Sequence, residues 1–349
     1  MKDRRVSQNF YDWLEYFNKL TSQRINSLLQ KRNYKSNLLY TILPEYPSRR
    51  GKGIRPSLCL ACCMASGGNV LDALNSAVAI ELFHNAFLIK DDIEDGSEFR
   101  RKQETIVSKY GSPIAINVGD ALAVLAINLL LENVDTVGVS KALHVLTEVQ
   151  KMAQNAVEGQ AMELEWIREN EWNISNKDYY LMCSKKTSWY TAAVPCRVGT
   201  IIGSSTINRD NLESITKFGL NLGMGFQIQD DILNLVGNVS EYGKEINGDL
   251  FEGKRTLMMI LLFKNATSTE KNRIIRISRK KRNSKTQEDI EYLRELMDKY
   301  SCIQNSANIS RSFIQKAIQA VEKECNWIEN KDIKSFLRDM AKYVIERHK

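Results

Sequence analysis

Proline is scarce in this chain: 349 residues hold five, at Pro44, Pro47, Pro56, Pro113 and Pro195. Long tracts therefore run free of helix breakers. Apolar residues recur along them at intervals of three and four, no convincing alternating strand appears, and the pattern predicts an all-α chain. No Pro/Gly/Ser-rich linker divides it, so the expectation is a single domain over 1–349. Helices are predicted near 7–33, 56–68, 70–95, 113–133, 138–170, 176–204, 208–236, 253–266, 286–300, 303–326 and 330–347.

Cysteine is present without framework spacing. Cys59, Cys62, Cys63, Cys183, Cys196, Cys302 and Cys325 are odd in number, which argues against a disulfide scaffold and for reduced, buried thiols in a cytoplasmic protein. Cys59-x-x-Cys62 lacks the second pair or nearby histidine that would complete a zinc or redox site. The N-terminus is amphipathic and carries acids, unlike a signal peptide. No uninterrupted apolar run is long enough to span a bilayer.

The formal charge is +7, and Arg279-Lys280-Lys281-Arg282 is a compact basic run. No stacking aromatics interleave it, so a nucleic-acid partner is not expected, and the run reads as a solvated linker between two helices.

The acids carry more information. Asp91-Asp92-Ile93-Glu94-Asp95 and Asp230-Asp231-Ile232-Leu233-Asn234 each close an apolar stretch with helical periodicity. The first and fifth positions of each share a helical face, with Cβ atoms roughly 5–6 Å apart. Carboxylates at the floor of a core need a partner to offset their desolvation. Hard oxygen donors suit Mg²⁺, which takes one or two carboxylates with water and substrate phosphate. Cations flank both clusters: Gly51-Lys52-Gly53-Ile54-Arg55 upstream of the first, Arg100-Arg101 after it, Lys185-Lys186 in mid-chain, Lys244 and Lys254 after the second. Arg grips phosphate with a planar fork and Lys as a point charge.

The order GKGIRP, ELFHNAFLIKDDIEDGSEFRR, GQAMELEW, KKTSWYTAAVPCRVG, GFQIQDDILN and YGKEINGDLFEGKRTL resembles the trans-isoprenyl diphosphate synthases, the polyprenyl synthetases that make geranylgeranyl diphosphate and its relatives. The likeness covers residues 45–265, with a helical part over 266–349. It implies the isoprenoid synthase fold, a large bundle of antiparallel helices around a central cavity, and a Mg²⁺-dependent condensation of isopentenyl diphosphate with an allylic diphosphate.

By that resemblance Asp91, Asp95 and Asp230 ligate Mg²⁺, while Asp92 and Asp231 orient waters or ligands from behind. Asn234 departs from a fifth-position Asp, keeping a ligating oxygen without the charge. Arg100, Lys186, Gln227, Lys244 and Lys254 would hold the allylic diphosphate, with Asp249 a partner of the last two. Gly51, Lys52, Arg55, His84 and Arg101 would hold isopentenyl diphosphate, although His84 alone reads as a buried histidine satisfied by its helix. Pro195 predicts a kink near Lys186-Thr187, and the family places the equivalents of Thr187 and Gln227 near the carbocation. The departing pyrophosphate would take the final proton.

The family pattern breaks after Arg101. Lys102-Gln103-Glu104-Thr105 replaces Gly-Lys-Pro-Thr, Val107 stands where a histidine is usual, and Glu104 puts a negative charge near the expected diphosphate pocket. Lys90 is also unusual. These departures keep open a terpene cyclase of the same fold, which needs no isopentenyl diphosphate, and, ranked last, a regulatory subunit of a synthase. The resemblance further implies a homodimer through the apolar tract Ile114–Leu131, and peripheral membrane contact stays open because prenyl products partition into lipid. It also implies a product ruler one and two turns before Asp91, where Ala86 leaves room and Phe83 offers a stop.

Overall fold

A computed structural model describes residues 8–30, 37–49, 51–237 and 245–346. Apart from one hairpin, those residues form helices and their connections. The chain runs from α1 (Gln8–Gln30) through two short helices, α2 (Leu38–Ile42) and α3 (Glu45–Ser48), to α4 (Ile54–Ala65) and α5 (Leu74–Asp95). The hairpin pairs β1 (Phe99–Arg100) with β2 (Gln103–Glu104), register Arg100 to Gln103. After α6 (Ile106–Tyr110) come the long helices α7 (Ser112–Val137) and α8 (Val139–Arg168), then α9 (Asn176–Cys183), α10 (Val194–Gly203) and α11 (Arg209–Val236). The described remainder holds α12 (Gly248–Glu252), α13 (Leu257–Asn265), α14 (Ser268–Ser278), α15 (Gln287–Lys299), α16 (Cys302–Gln319) and α17 (Lys331–Glu346).

Two apolar clusters form the core, and α11 serves both. It gives Ile215, Phe218 and Leu222 to a cluster with α1, α4, α5, α7 and α17. It gives Met224, Ile228, Ile232 and Leu235 to a second with α9, α13, α14 and α15. Helix α5 is buried on most sides, with Ala77, Val78, Ile80 and Leu82 fully covered, and stops at Gly96, whose φ of 63° lies in the left-handed region a glycine enters at little cost. That stop leaves the first acidic cluster as the last turn of a core helix. All seven cysteines are buried and unpaired.

Three sequence expectations change. The predicted helix over 176–204 is three pieces: between α9 and α10 the segment Ser184–Ala193 winds as a π-helix. The Val194 N–H reaches back five residues to the Trp189 carbonyl, so the break expected from Pro195 takes the form of a widened stretch just before the proline. The basic run is also more than a linker, because α14 precedes it, opened by a reciprocal cap between Thr267 and Glu270. Only Ile274 and Ile277 of α14 are buried, too few to show as a helical period. Lastly, α7 is long and apolar enough to cross a membrane by length and composition, with 44% of its apolar window buried inside the protein.

Candidate active site

A cavity of about 780 Å³ is lined from α5, the hairpin, α8, α9, the π-helical segment, α11 and the loop after α12. That volume is ordinary for a small-molecule site. Asp91 and Asp230 both stand on its wall.

Of the neighbours of those two aspartates, Asp231 also lines the cavity, whereas Asp92 does not. Asp92 is fully buried; it accepts from the Tyr46 hydroxyl in a short hydrogen bond and from Arg100 Nε at 2.7 Å. Arg100 also gives Nη2 to Asp91 at 3.0 Å. Its guanidinium therefore ties the two aspartates together, and its pKa is raised because Asp92 and Asp91 outweigh the cost of burial. Arg101 (φ 53°) and Lys102 (φ 63°) form the turn that folds Arg100 back onto α5. Arg49 pins the hairpin by donating to the Arg100 and Glu104 carbonyls.

Asp231 is held in the same way. It accepts from Tyr179 at 2.8 Å and from Gln227 Nε2 at 2.6 Å, and Thr187 donates to Gln227 Oε1 at 2.7 Å. Burial pushes the Asp231 carboxyl up, against the pull of the Gln227 and Tyr179 hydrogen bonds. Thr187, Gln227 and Asp231 thus form one chain running from the π-helical segment to α11.

Two groups of cations face this cavity. In the first, Lys186 pairs with Glu163, and Lys254 lies 2.7 Å from Asp95, 2.6 Å from Glu252 and 3.6 Å from Asp249. Burial disfavours the charge on Lys186, yet Glu163 and Asp91 raise its pKa overall. Burial likewise pushes the Asp95 carboxyl up, with Asp91 and Glu252 adding to the rise and Lys254 opposing it. In the second group, Gly51, Lys52, Arg55, His84 and Arg101 all line the cavity. Arg55 donates to the Tyr190 hydroxyl at 2.6 Å and to Thr191 Oγ1 at 2.9 Å, and its guanidinium sits 4.3 Å over the Tyr190 ring. Tyr190 OH is 3.0 Å from His84 Nδ1. The Arg55 Nε is buried without a hydrogen-bond partner among the described residues.

Several expectations are corrected here. Asn234 does not face the cavity; its Oδ1 accepts from the Asp249 N–H at 3.1 Å and its Nδ2 reaches the Glu245 carbonyl, so its amide is committed to the loop that carries Asp249. Lys90 lines the cavity and takes a carboxylate partner, Asp120 at 3.1 Å, as its position before the acidic cluster allows. Glu104 is exposed and accepts from Ser108 at 2.8 Å, so its charge does not enter the pocket. Lys244 lies outside the described residues. Tyr46, Arg49, Glu163, Tyr179, Tyr190 and Glu252 were not among the sequence candidates, and a lone Tyr or Glu in a polar stretch carries no spacing that would have singled them out.

The donors suit Mg²⁺. Asp91 and Asp230 offer hard oxygens to one cavity, while among the described residues no three His, Cys, Asp or Glu side chains form a cage. That matches an ion completed by water and phosphate oxygens rather than by protein alone. Bound there, it would supply charge neutralisation to a leaving diphosphate.

The polyprenyl synthetase family model matches residues 36–297. The chain is 32% identical over 303 residues to a geranylgeranyl diphosphate synthase of Saccharolobus solfataricus, covering 86% of this chain and 87% of that protein. It is 30% identical to heptaprenyl diphosphate synthase component 2 of Bacillus subtilis over 85% of this chain and 79% of that one. The crystal structure of a geranylgeranyl pyrophosphate synthetase from Pyrococcus horikoshii superposes with a TM-score of 0.85 at 31% identity, covering 97% of this chain and 98% of that chain. The fold is accordingly the all-α isoprenoid synthase fold. By motif order, fold and these matches, the chain belongs to the polyprenyl synthetase family.

Proposed function

We propose that this protein condenses isopentenyl diphosphate with an allylic diphosphate, with Mg²⁺ as its metal, and that the product is geranylgeranyl diphosphate. The observation that carries the reading is the pair of cation groups on one cavity wall together with Asp91 and Asp230. A cyclase needs one diphosphate site, whereas Lys52, Arg55, His84 and Arg101 gather into a second. The names of the relatives in Saccharolobus solfataricus and Pyrococcus horikoshii support the product length.

In this reading Asp91, Asp95 and Asp230 hold Mg²⁺ and Lys186 and Lys254 hold the allylic diphosphate, countering its charge as the carbon–oxygen bond breaks. Arg100 fixes Asp91 and Asp92, and Asp231 fixes Gln227. The carbocation forms beside Thr187 and Gln227. Arg55, Lys52, Arg101 and His84 keep the second diphosphate at the other end, so the double bond of isopentenyl diphosphate faces the cation. The departing pyrophosphate takes the final proton.

Incubation of purified protein with Mg²⁺ and labelled isopentenyl diphosphate should place label in a C20 diphosphate only when an allylic primer is added. Conversion of an allylic diphosphate to hydrocarbon without isopentenyl diphosphate would instead support the cyclase. The ruler also shifts: Phe87 lines the cavity, edge-on to Tyr190 at 5.6 Å, and Phe83 lies behind it with ring centroids 6.2 Å apart. A growing tail meets Phe87 first. Phe87→Ala should therefore move the product mixture toward longer chains in the same assay, and an unchanged mixture would show that the tail runs elsewhere.

We also propose a homodimer. Val124, Ile127, Leu131 and Val134 on α7, with Val139 and Leu143 on α8, are each at least 40% exposed, a continuous apolar face of the kind that marks an interface. The tract expected from the sequence is thus exposed on one side and packed on α5 on the other. A second copy presenting the same face would cover it. Sedimentation should give a dimer at micromolar concentration, and Val124→Glu with Leu131→Glu a monomer; a wild-type monomer would overturn the proposal and direct attention to a heteromer. Seven unpaired buried thiols support a reducing compartment, the cytoplasm.

A further inference from the structure

We infer that Arg282 is a positioning residue for the allylic diphosphate site, acting through Glu252 on Lys254. The inference rests on the prenyl-transfer reading only for the identity of the ligand. Arg282 belongs to the basic run that the sequence presents as a solvated linker. The fold spends that run differently: Lys280 pairs with Asp289 at 2.6 Å, and Arg282 turns inward at the head of a short 3₁₀ turn, Arg282–Ser284.

Arg282 Nη1 meets Glu252 Oε1 at 2.7 Å, and its Nη2 pairs with Glu245. The other oxygen of Glu252 is 2.6 Å from Lys254 Nζ. One carboxylate is therefore shared by two cations, one of which lines the cavity and one of which does not. The Glu252 side chain is only 11% exposed, so this sharing is less screened than in a surface pair. Next to it, Lys285 donates to the Phe251 carbonyl, and its ammonium lies 3.2 Å from where a side chain on Gly253 would begin. The basic segment thus holds α12 from outside the cavity.

The consequence is one of charge balance. Asp95, Asp249 and Glu252 surround the Lys254 ammonium. A diphosphate that binds Lys254 competes with all three. Arg282 draws off part of the Glu252 charge and fixes the carboxylate so that one oxygen points away from Lys254. Without Arg282, Glu252 gives its whole charge to Lys254 and holds the ammonium against the acid group, and the incoming diphosphate finds a weaker cation. Isopentenyl diphosphate, bound among Lys52, Arg55 and Arg101, should be unaffected.

Steady-state kinetics on the full-length protein test this, with wild type, Arg282→Gln, Arg282→Lys, Glu252→Gln and the Arg282→Gln/Glu252→Gln double variant. Arg282→Gln should raise KM for the allylic diphosphate about five- to tenfold, with kcat and KM for isopentenyl diphosphate within about twofold. Arg282→Lys should recover most of the loss. In the Glu252→Gln background, Arg282→Gln should have little further effect, because the charge it manages is gone. Equal rises in both KM values, no rise, or a rise that persists in the Glu252→Gln background would overturn the inference. Calorimetric binding of inorganic pyrophosphate with Mg²⁺ makes the same comparison without turnover. If wild type shows no primer-dependent product, the functional reading falls, and the calorimetry still decides the role of Arg282.

Discussion

Asp91→Ala and Asp230→Ala should each lower turnover by roughly three orders of magnitude or more while the helical fold is retained. Both carboxylates stand on the wall of the cavity. Asp91 is held by Arg100 at 3.0 Å, but that guanidinium keeps its second partner, Asp92, when Asp91 is removed. The loss therefore falls on the chemistry and not on stability. Asp92→Ala offers the contrast: it strips a fully buried arginine and the Tyr46 hydroxyl of a shared acceptor, which costs about 3–5 kcal/mol when a buried charge loses its partner. Circular dichroism and thermal melts should thus separate two inactive variants with native melting from one that is inactive because it is loosened. Near-normal turnover in Asp91→Ala or Asp230→Ala would remove both aspartates from the proposed metal site.

The difference between Asp91 and Asp92 also marks where the sequence stopped being informative. Spacing alone told that positions 91 and 95, or 230 and 234, share a helical face, because 3.6 residues per turn is a property of the backbone. It could not tell which carboxylates face the cavity or what holds each of them in place. That is decided by residues distant in sequence, Tyr46 for Asp92 and Tyr179 for Asp231. Arg100 illustrates the same limit. Read as a diphosphate ligand, it lines the cavity and is also tied to two aspartates, because a turn built from Arg101 and Lys102 without glycine returns it to α5. Glu104 looked like a threat to a diphosphate pocket, yet the β-strand it occupies turns it outward to Ser108. The helices were legible because long amphipathic tracts lack proline; α14 was missed because only two of its side chains are buried.

Pro195 announced a break, but how the chain accommodates it depends on neighbours that carry no side chain. The π-helical segment is wider than an α-helix, and helices α8 and α11 approach it at glycines. A Cβ on Gly159 would lie 2.3 Å from the Lys186 nitrogen and 2.7 Å from its Cα; one on Gly223 would lie 2.4 Å from the Ser188 Cα. These are clashes with backbone, which no rotamer change relieves. Gly159→Ala or Gly223→Ala should therefore destabilise the protein by about 3 kcal/mol, the upper range for overpacking, and lower the melting temperature by several degrees. Intrinsic propensity predicts the opposite sign, since alanine in a helix interior is favoured over glycine by about 0.5–1 kcal/mol, so the direction of the change alone distinguishes close packing from local preference. The effect should also reach the chemistry. Relief of the clash displaces Lys186 and Thr187, and a misplacement of about 1 Å at a positioned group can cost on the order of a hundredfold in rate. Turnover measured well below the melting temperature should fall by about that factor in Gly159→Ala, with the KM for the allylic diphosphate rising as Lys186 shifts. An unchanged or raised melting temperature with normal turnover would mean that α8 can slide away freely, and that the π-helical segment is not held in place by these two contacts.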